Sequence, residues 1–92
     1  SLSQNAYYWA VVLPFVQELL RRAGTIMPIE KVHELLKYKF LGTNKLVDPT
    51  TGEIITSIKG TSGLNKSEFS DFIEEIRILC LEYFGEDLPE AR

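Results

Sequence analysis

Apolar residues recur at helical spacing from about Gln4 to Ala23: Tyr8, Val12, Phe15 and Leu19, with Val16 or Leu20 beside them. That period predicts an amphipathic helix, and Gly24 is a natural stop for it. Pro14 lies inside the run. It carries no backbone N–H and its ring meets the carbonyl of Ala10, so a kink or a break into two shorter helices is expected there. Pro28 and Glu30 suit the first turn of a second helix. Val32, Leu35, Leu36 and Phe40 form its apolar stripe, and Gly42 ends it.

The period then changes. Lys45-Leu46-Val47 and Glu53-Ile54-Ile55-Thr56-Ser57-Ile58 flank the turn-forming stretch Asp48-Pro49-Thr50-Thr51-Gly52, a β-hairpin pattern. Arms this short need helices to pack against. Gly60-Thr61-Ser62-Gly63 reads as a loop. Asn65 followed by Glu68 is a capping-box pattern, which should start a third helix running to about Phe84. Phe69, Phe72, Ile73, Ile76, Leu79, Cys80 and Tyr83 are expected to face inward. Gly85 closes the helix, and Glu86 to Arg92 form a polar tail. The expected fold is a helix-rich α+β domain of about three helices, with one hairpin between helices two and three.

Length and composition fit that picture. The 92 residues make a single small domain, and 45% hydrophobic residues exclude a disordered chain. No apolar segment approaches the roughly 20 residues that cross a bilayer, so no membrane association is expected and a cytoplasmic location is the default. The lone Cys80 excludes an internal disulfide and reads as a small core residue. The net charge of −3 is unevenly spread. Residues 1–66 carry eight Lys/Arg against five acids, whereas residues 67–92 carry two against eight. An acidic balance argues against strong duplex binding, yet leaves room for a local basic channel.

Catalytic constellations come up short. One histidine, His33, and one distant cysteine cannot build a His/Cys metal site, and no cofactor is expected. His33 itself reads as a helix-surface or interface residue. Asp48, Glu53 and Lys59 around the hairpin could be a metal-dependent nuclease set, but no lysine stands two residues after Glu53, and Asp48-Pro49 suits a turn better. The glycine-rich loop could offer free amides to a phosphate, without the span or the Lys-Ser/Thr ending of a P-loop.

Binding chemistry is richer. Ser1-Leu2-Ser3-Gln4-Asn5-Ala6-Tyr7-Tyr8-Trp9 sets amides directly before three aromatics at a helix start. Amides beside flat aromatic faces suit a surface that stacks bases and hydrogen-bonds to nucleotides. The alternative is that Tyr8 and Trp9 are core or dimer-contact aromatics. Lys37, Lys39, Lys45, Lys59 and Lys66 bracket the hairpin and loop and could track a phosphate backbone.

The string Ser-Leu-x-Gln-Asn-x-x-x-Trp at Ser1–Trp9 resembles the NinB/Orf family of lambdoid-phage recombination mediators. A second block agrees: Thr61-Ser62, Glu68-Phe69, a long amphipathic helix, and the ending Glu90-Ala91-Arg92. Ile26 to Leu41 matches the intervening helix more loosely. The resemblance implies a non-catalytic homodimer of phage or prophage origin. Such a protein binds single-stranded DNA and the host single-strand-binding protein, and helps load the strand-exchange recombinase. It also implies that Gln4 and Trp9 line the DNA-binding region. Asn5 joins them by position, with Lys59 and Lys66 assisting electrostatically. Where relatives carry arginines before the last helix, this chain has Gly63 and Asn65, with Lys66 alone nearby. The family's region upstream of the motif is expected to be missing, since residue 1 already lies inside it. A dimerisation or protein-interaction module without DNA binding is the alternative, its acidic last helix meeting a basic partner.

Overall fold

The computed structural model describes residues 3–91, so Ser1, Leu2 and Arg92, which begin and end the two matching blocks, lie outside the described residues. The chain forms three helical rods and a two-stranded antiparallel hairpin between the second and third. The first rod has three segments: α1 (Gln4–Tyr7), a π-helical turn (Tyr8–Val12) and α2 (Leu13–Arg22). Then come α3 (Ile29–Leu41), β1 (Thr43–Val47), β2 (Ile54–Ile58) and α4 (Lys66–Phe84).

The first rod changes its winding just before Pro14. The backbone stays helical through both junctions, and the distortion sits one turn earlier as a π turn, with the Leu13 N–H donating to the Tyr8 carbonyl. A proline at 14 offers no N–H to the Ala10 carbonyl, and widening the preceding turn accommodates that loss. The extra residue in the turn brings both Val12 and Leu13 inward, below Tyr8 and above Val16 and Leu19.

These five side chains meet Val32 and Leu36 of α3 and Phe69, Phe72, Ile76 and Cys80 of α4 in one core. Each fully buried large aliphatic contributes about 1.5–3 kcal/mol of transfer free energy. Burial pushes the Cys80 thiol up to about 11, with Asp87 and Glu86 adding to the shift, so at neutral pH it is an inert core thiol. Two expected inward residues differ. Tyr83 is 74% exposed while its neighbour Phe84 packs against the core, and Leu35 also faces solvent.

The tail is not a loose polar end. The Tyr7 hydroxyl donates to the Pro89 carbonyl at 2.6 Å, Arg77 pairs with Asp87 at 2.9 Å, and Arg22 pairs with Glu86 at 2.8 Å. Residues 86–89 therefore bind the first rod to α4. Asn65 caps α4 as expected: its Oδ1 accepts from the Glu68 N–H at 2.8 Å, and Glu68 Oε1 accepts from the Asn65 N–H at 2.9 Å.

The hairpin pairs Thr43 with Ile58 through Val47 with Ile54. Its turn is closed by the Asp48 N–H donating to the Glu53 carbonyl at 2.8 Å, and Gly52 supplies the positive φ of 73° that the turn needs. The hairpin meets the body only at its base, where the Lys59 N–H donates to the Gly42 carbonyl at 3.1 Å. Its distal half projects, and the molecule measures 49 × 32 × 21 Å.

Candidate nucleic-acid interface

The π turn puts Tyr8 at the centre of an aromatic cluster. Its ring meets Trp9 edge-on at 5.7 Å, His33 at 5.4 Å, Phe69 at 5.6 Å and Phe72 at 5.5 Å between centroids. Tyr8 is fully buried, and its hydroxyl lies 2.6 Å from His33 Nδ1. Burial, reinforced by the charge of Glu34, pushes the Tyr8 phenol far above its ordinary range, so it keeps its proton. The protonated phenol and Nδ1 share this hydrogen bond, whose direction follows the imidazole tautomer. Burial also lowers the pKa of His33, helped by the nearby Lys37 ammonium and opposed by Glu34.

Trp9 lies on the outside of this cluster. Its indole is 40% exposed and tilted 49° against the His33 ring at 4.6 Å. The ring is thus held against His33 and Tyr8 while part of it meets solvent. The exposed part of such a ring can stack a flat ligand.

The amides of the opening string behave differently from one another. Gln4 Nε2 donates to the Lys66 carbonyl at 3.0 Å and to Ser70 Oγ at 2.6 Å, so both its N–H donors tie α1 to the first turn of α4. Its Oε1 remains as an acceptor. Asn5 is exposed, and its side chain makes no hydrogen bond among the described residues. Lys66 opens α4 beside Gln4, and its ammonium forms no ion pair among the described residues. Gln4 and the Lys66 backbone therefore meet where the first rod joins α4, whereas Trp9 meets His33 of α3.

Lys59 belongs elsewhere. It lines a cleft of about 500 Å³ at the hairpin base, together with Phe40, Asn44, Ser62 and Glu68. The first turn of α4 separates this cleft from the Trp9 surface, with Lys66 and Ser70 reaching Gln4 and Glu68 reaching the cleft.

The nuclease set is not assembled. Asp48 sits at the hairpin tip, where its carboxylate accepts from Thr50 N–H at 2.8 Å and Thr50 Oγ1 at 2.6 Å, contacts that hold its pKa below the usual range. Lys59 lies at the opposite end, a strand of five residues away, about 17 Å. Among the described residues no three His, Cys, Asp or Glu side chains converge on one point.

His33 was legible in the sequence only as a helix-surface or interface residue on the second helix. Its place under Trp9 depends on the π turn, for which Pro14 was the one available signal. No helix among the described residues is long and apolar enough to cross a membrane. Searches against protein-family models, curated proteins and solved structures found no match to the chain.

Proposed function

We propose that the chain is a single-stranded-DNA-binding domain of a recombination mediator of the NinB/Orf kind. In this reading it acts as a non-catalytic homodimer in the cytoplasm, contacts the host single-strand-binding protein and assists recombinase loading. The observation that carries the DNA-binding part is the 40% exposed Trp9 indole packed against His33, on the same rod as the exposed Asn5 and as Gln4, whose donors reach the start of α4 at Lys66. An exposed aromatic binds single strands by stacking, and surface cations add backbone neutralisation, largely independent of sequence. Gln4 contributes as an acceptor for a base amine, because its donors are engaged by α4.

A salt-dependent titration of fluorescent single-stranded DNA tests the reading. Trp9→Ala is expected to weaken binding by about 1–3 kcal/mol, the scale of one lost base stack. Lys66→Glu is expected to weaken it and to flatten the dependence on salt by about one phosphate contact. Binding undetectable at low salt, or untouched by both substitutions, sinks the proposal.

A second reading, a dimerisation or protein-interaction module, is favoured by one specific observation. Leu46, Val47, Ile54 and Ile55 are all exposed at the projecting end of the hairpin, on both of its faces. Clustered aliphatics on a bare two-stranded arm are a common mark of an association surface.

A further inference from the structure

The cleft at the hairpin base is separate from the Trp9 surface, and its lining is chemically mixed in an ordered way. Phe40 and Leu64 supply an apolar floor, and Asn44 on β1 supplies a carboxamide with both donor and acceptor. Lys59 supplies an ammonium that forms no ion pair among the described residues. Gly60, Ser62 and Gly63 form a wall whose backbone N–H groups make no hydrogen bond among the described residues. The acidic exception is Glu68. One of its oxygens is held by the Asn65 N–H, which leaves the other as a fixed acceptor on the cleft's α4 side.

A phosphate is drawn to Lys59 and the loop amides and repelled by Glu68. A base bearing an exocyclic amine suits Glu68, since a carboxylate accepts from such amines. Phe40 and Leu64 can take the flat face of the base. The volume of about 500 Å³ falls in the range of about 300–1,000 Å³ typical of small-molecule sites. At the α4 N-terminus the capping box engages the Asn65 and Glu68 amides.

We infer that this cleft is a nucleotide site, holding one nucleoside 5′-phosphate unit with its phosphate at Lys59 and its base against Phe40 and Glu68. As a subsite for one splayed nucleotide of a bound strand it rests on the single-stranded-DNA reading. As a site for a nucleoside monophosphate it stands alone.

The test is amide-resolved NMR on the full chain, titrated with deoxycytidine 5′-monophosphate, and separately with deoxycytidine and with inorganic phosphate. Saturable shifts are expected at Asn44, Gly60, Ser62 and Gly63, tighter for the monophosphate than for either fragment. Lys59→Glu should weaken binding about tenfold or more, the scale of one charge-assisted contact, with the remaining spectrum unchanged. Trp9→Ala should leave it intact. The inference is overturned if the cleft amides do not move, if phosphate alone reproduces the shifts at equal affinity, or if Lys59→Glu binds as the wild type does. A short oligodeoxycytidylate separates the two proposals. If it binds through Trp9 while the cleft amides stay still, the cleft fails and the DNA reading stands. If the monophosphate saturates the cleft while the oligonucleotide does not bind, the DNA reading fails and the cleft stands.

Discussion

Trp9 and His33 are the only tryptophan and histidine of the chain, and their rings lie 4.6 Å apart. A protonated imidazole at that distance quenches indole emission far more strongly than a neutral one, so fluorescence reports the charge of one residue. Burial and Lys37 lower the pKa of His33 below 6.5. Trp9 emission is therefore expected to fall on acidification with a midpoint below 6.5, and a His33→Gln variant should give a flat trace. A midpoint above 6.5 would contradict the buried, phenol-bonded placement. The same shift has a stability consequence. The native state takes up the His33 proton less readily than the unfolded chain does. Its contribution to stability is thus intact above pH 6.5 and declines as pH falls from there through the lowered native value.

At the scale of single elements, local chemistry and long-range packing divide the work. The α4 start is local: Asn65 and Glu68 satisfy each other's backbone amides within four residues. Asn65→Ala is expected to cost about 1 kcal/mol, a fall in Tm of roughly 4–8 °C for a domain this small, while Asn65→Ser should retain most of the stability. Thermal melts followed by circular dichroism check both. An unchanged Tm for Asn65→Ala would mean that the α4 end is held by Gln4 and the core alone. The α4 stop is equally local, with Gly85 in the left-handed region at φ 69°. The π turn is different. Pro14 forbids one hydrogen bond, but whether the rod kinks, breaks or widens is decided by which outcome buries Tyr8, Val12 and Leu13 together. Periodicity placed Phe15 on the inward face; the widened turn leaves it partly buried and gives that place to Leu13.

The whole molecule is longer than its length requires. Its radius of gyration is 15.1 Å, whereas a compact 92-residue domain is near 12 Å. The difference comes from the hairpin, whose outer aliphatics find nothing to cover them among the described residues; Leu46 is 65% and Ile54 63% exposed. Homodimerisation through this arm is tested by sedimentation of the wild type against a Leu46→Lys/Ile55→Glu double variant. These residues face each other across the strands, so the opposite charges keep the hairpin paired while removing the apolar surface of one of its faces. A dimeric wild type and a monomeric variant of equal helicity are expected. A wild type that stays monomeric at every concentration removes the dimer from both functional readings.

Wherever a rule acts within a few residues, the chain alone determined the outcome. Apolar periods placed three helical rods, the Asp48–Gly52 stretch placed the hairpin turn, and Asn65 with Glu68 placed the start of α4. The polar-aromatic opening string likewise marked Trp9 as a surface to examine. Tertiary structure decided what depends on side chains distant in sequence. It seated His33 beneath Trp9, turned the Gln4 donors toward Lys66 and Ser70, moved Lys59 into a separate cleft and left the hairpin bare. The physical reason is that each of these placements joins elements far apart in sequence, and for Trp9 and Gln4 it also involves a single added residue in one helical turn. That residue rotates the opening segment relative to α2, and its cost is set by the packing of three rods rather than by any local preference.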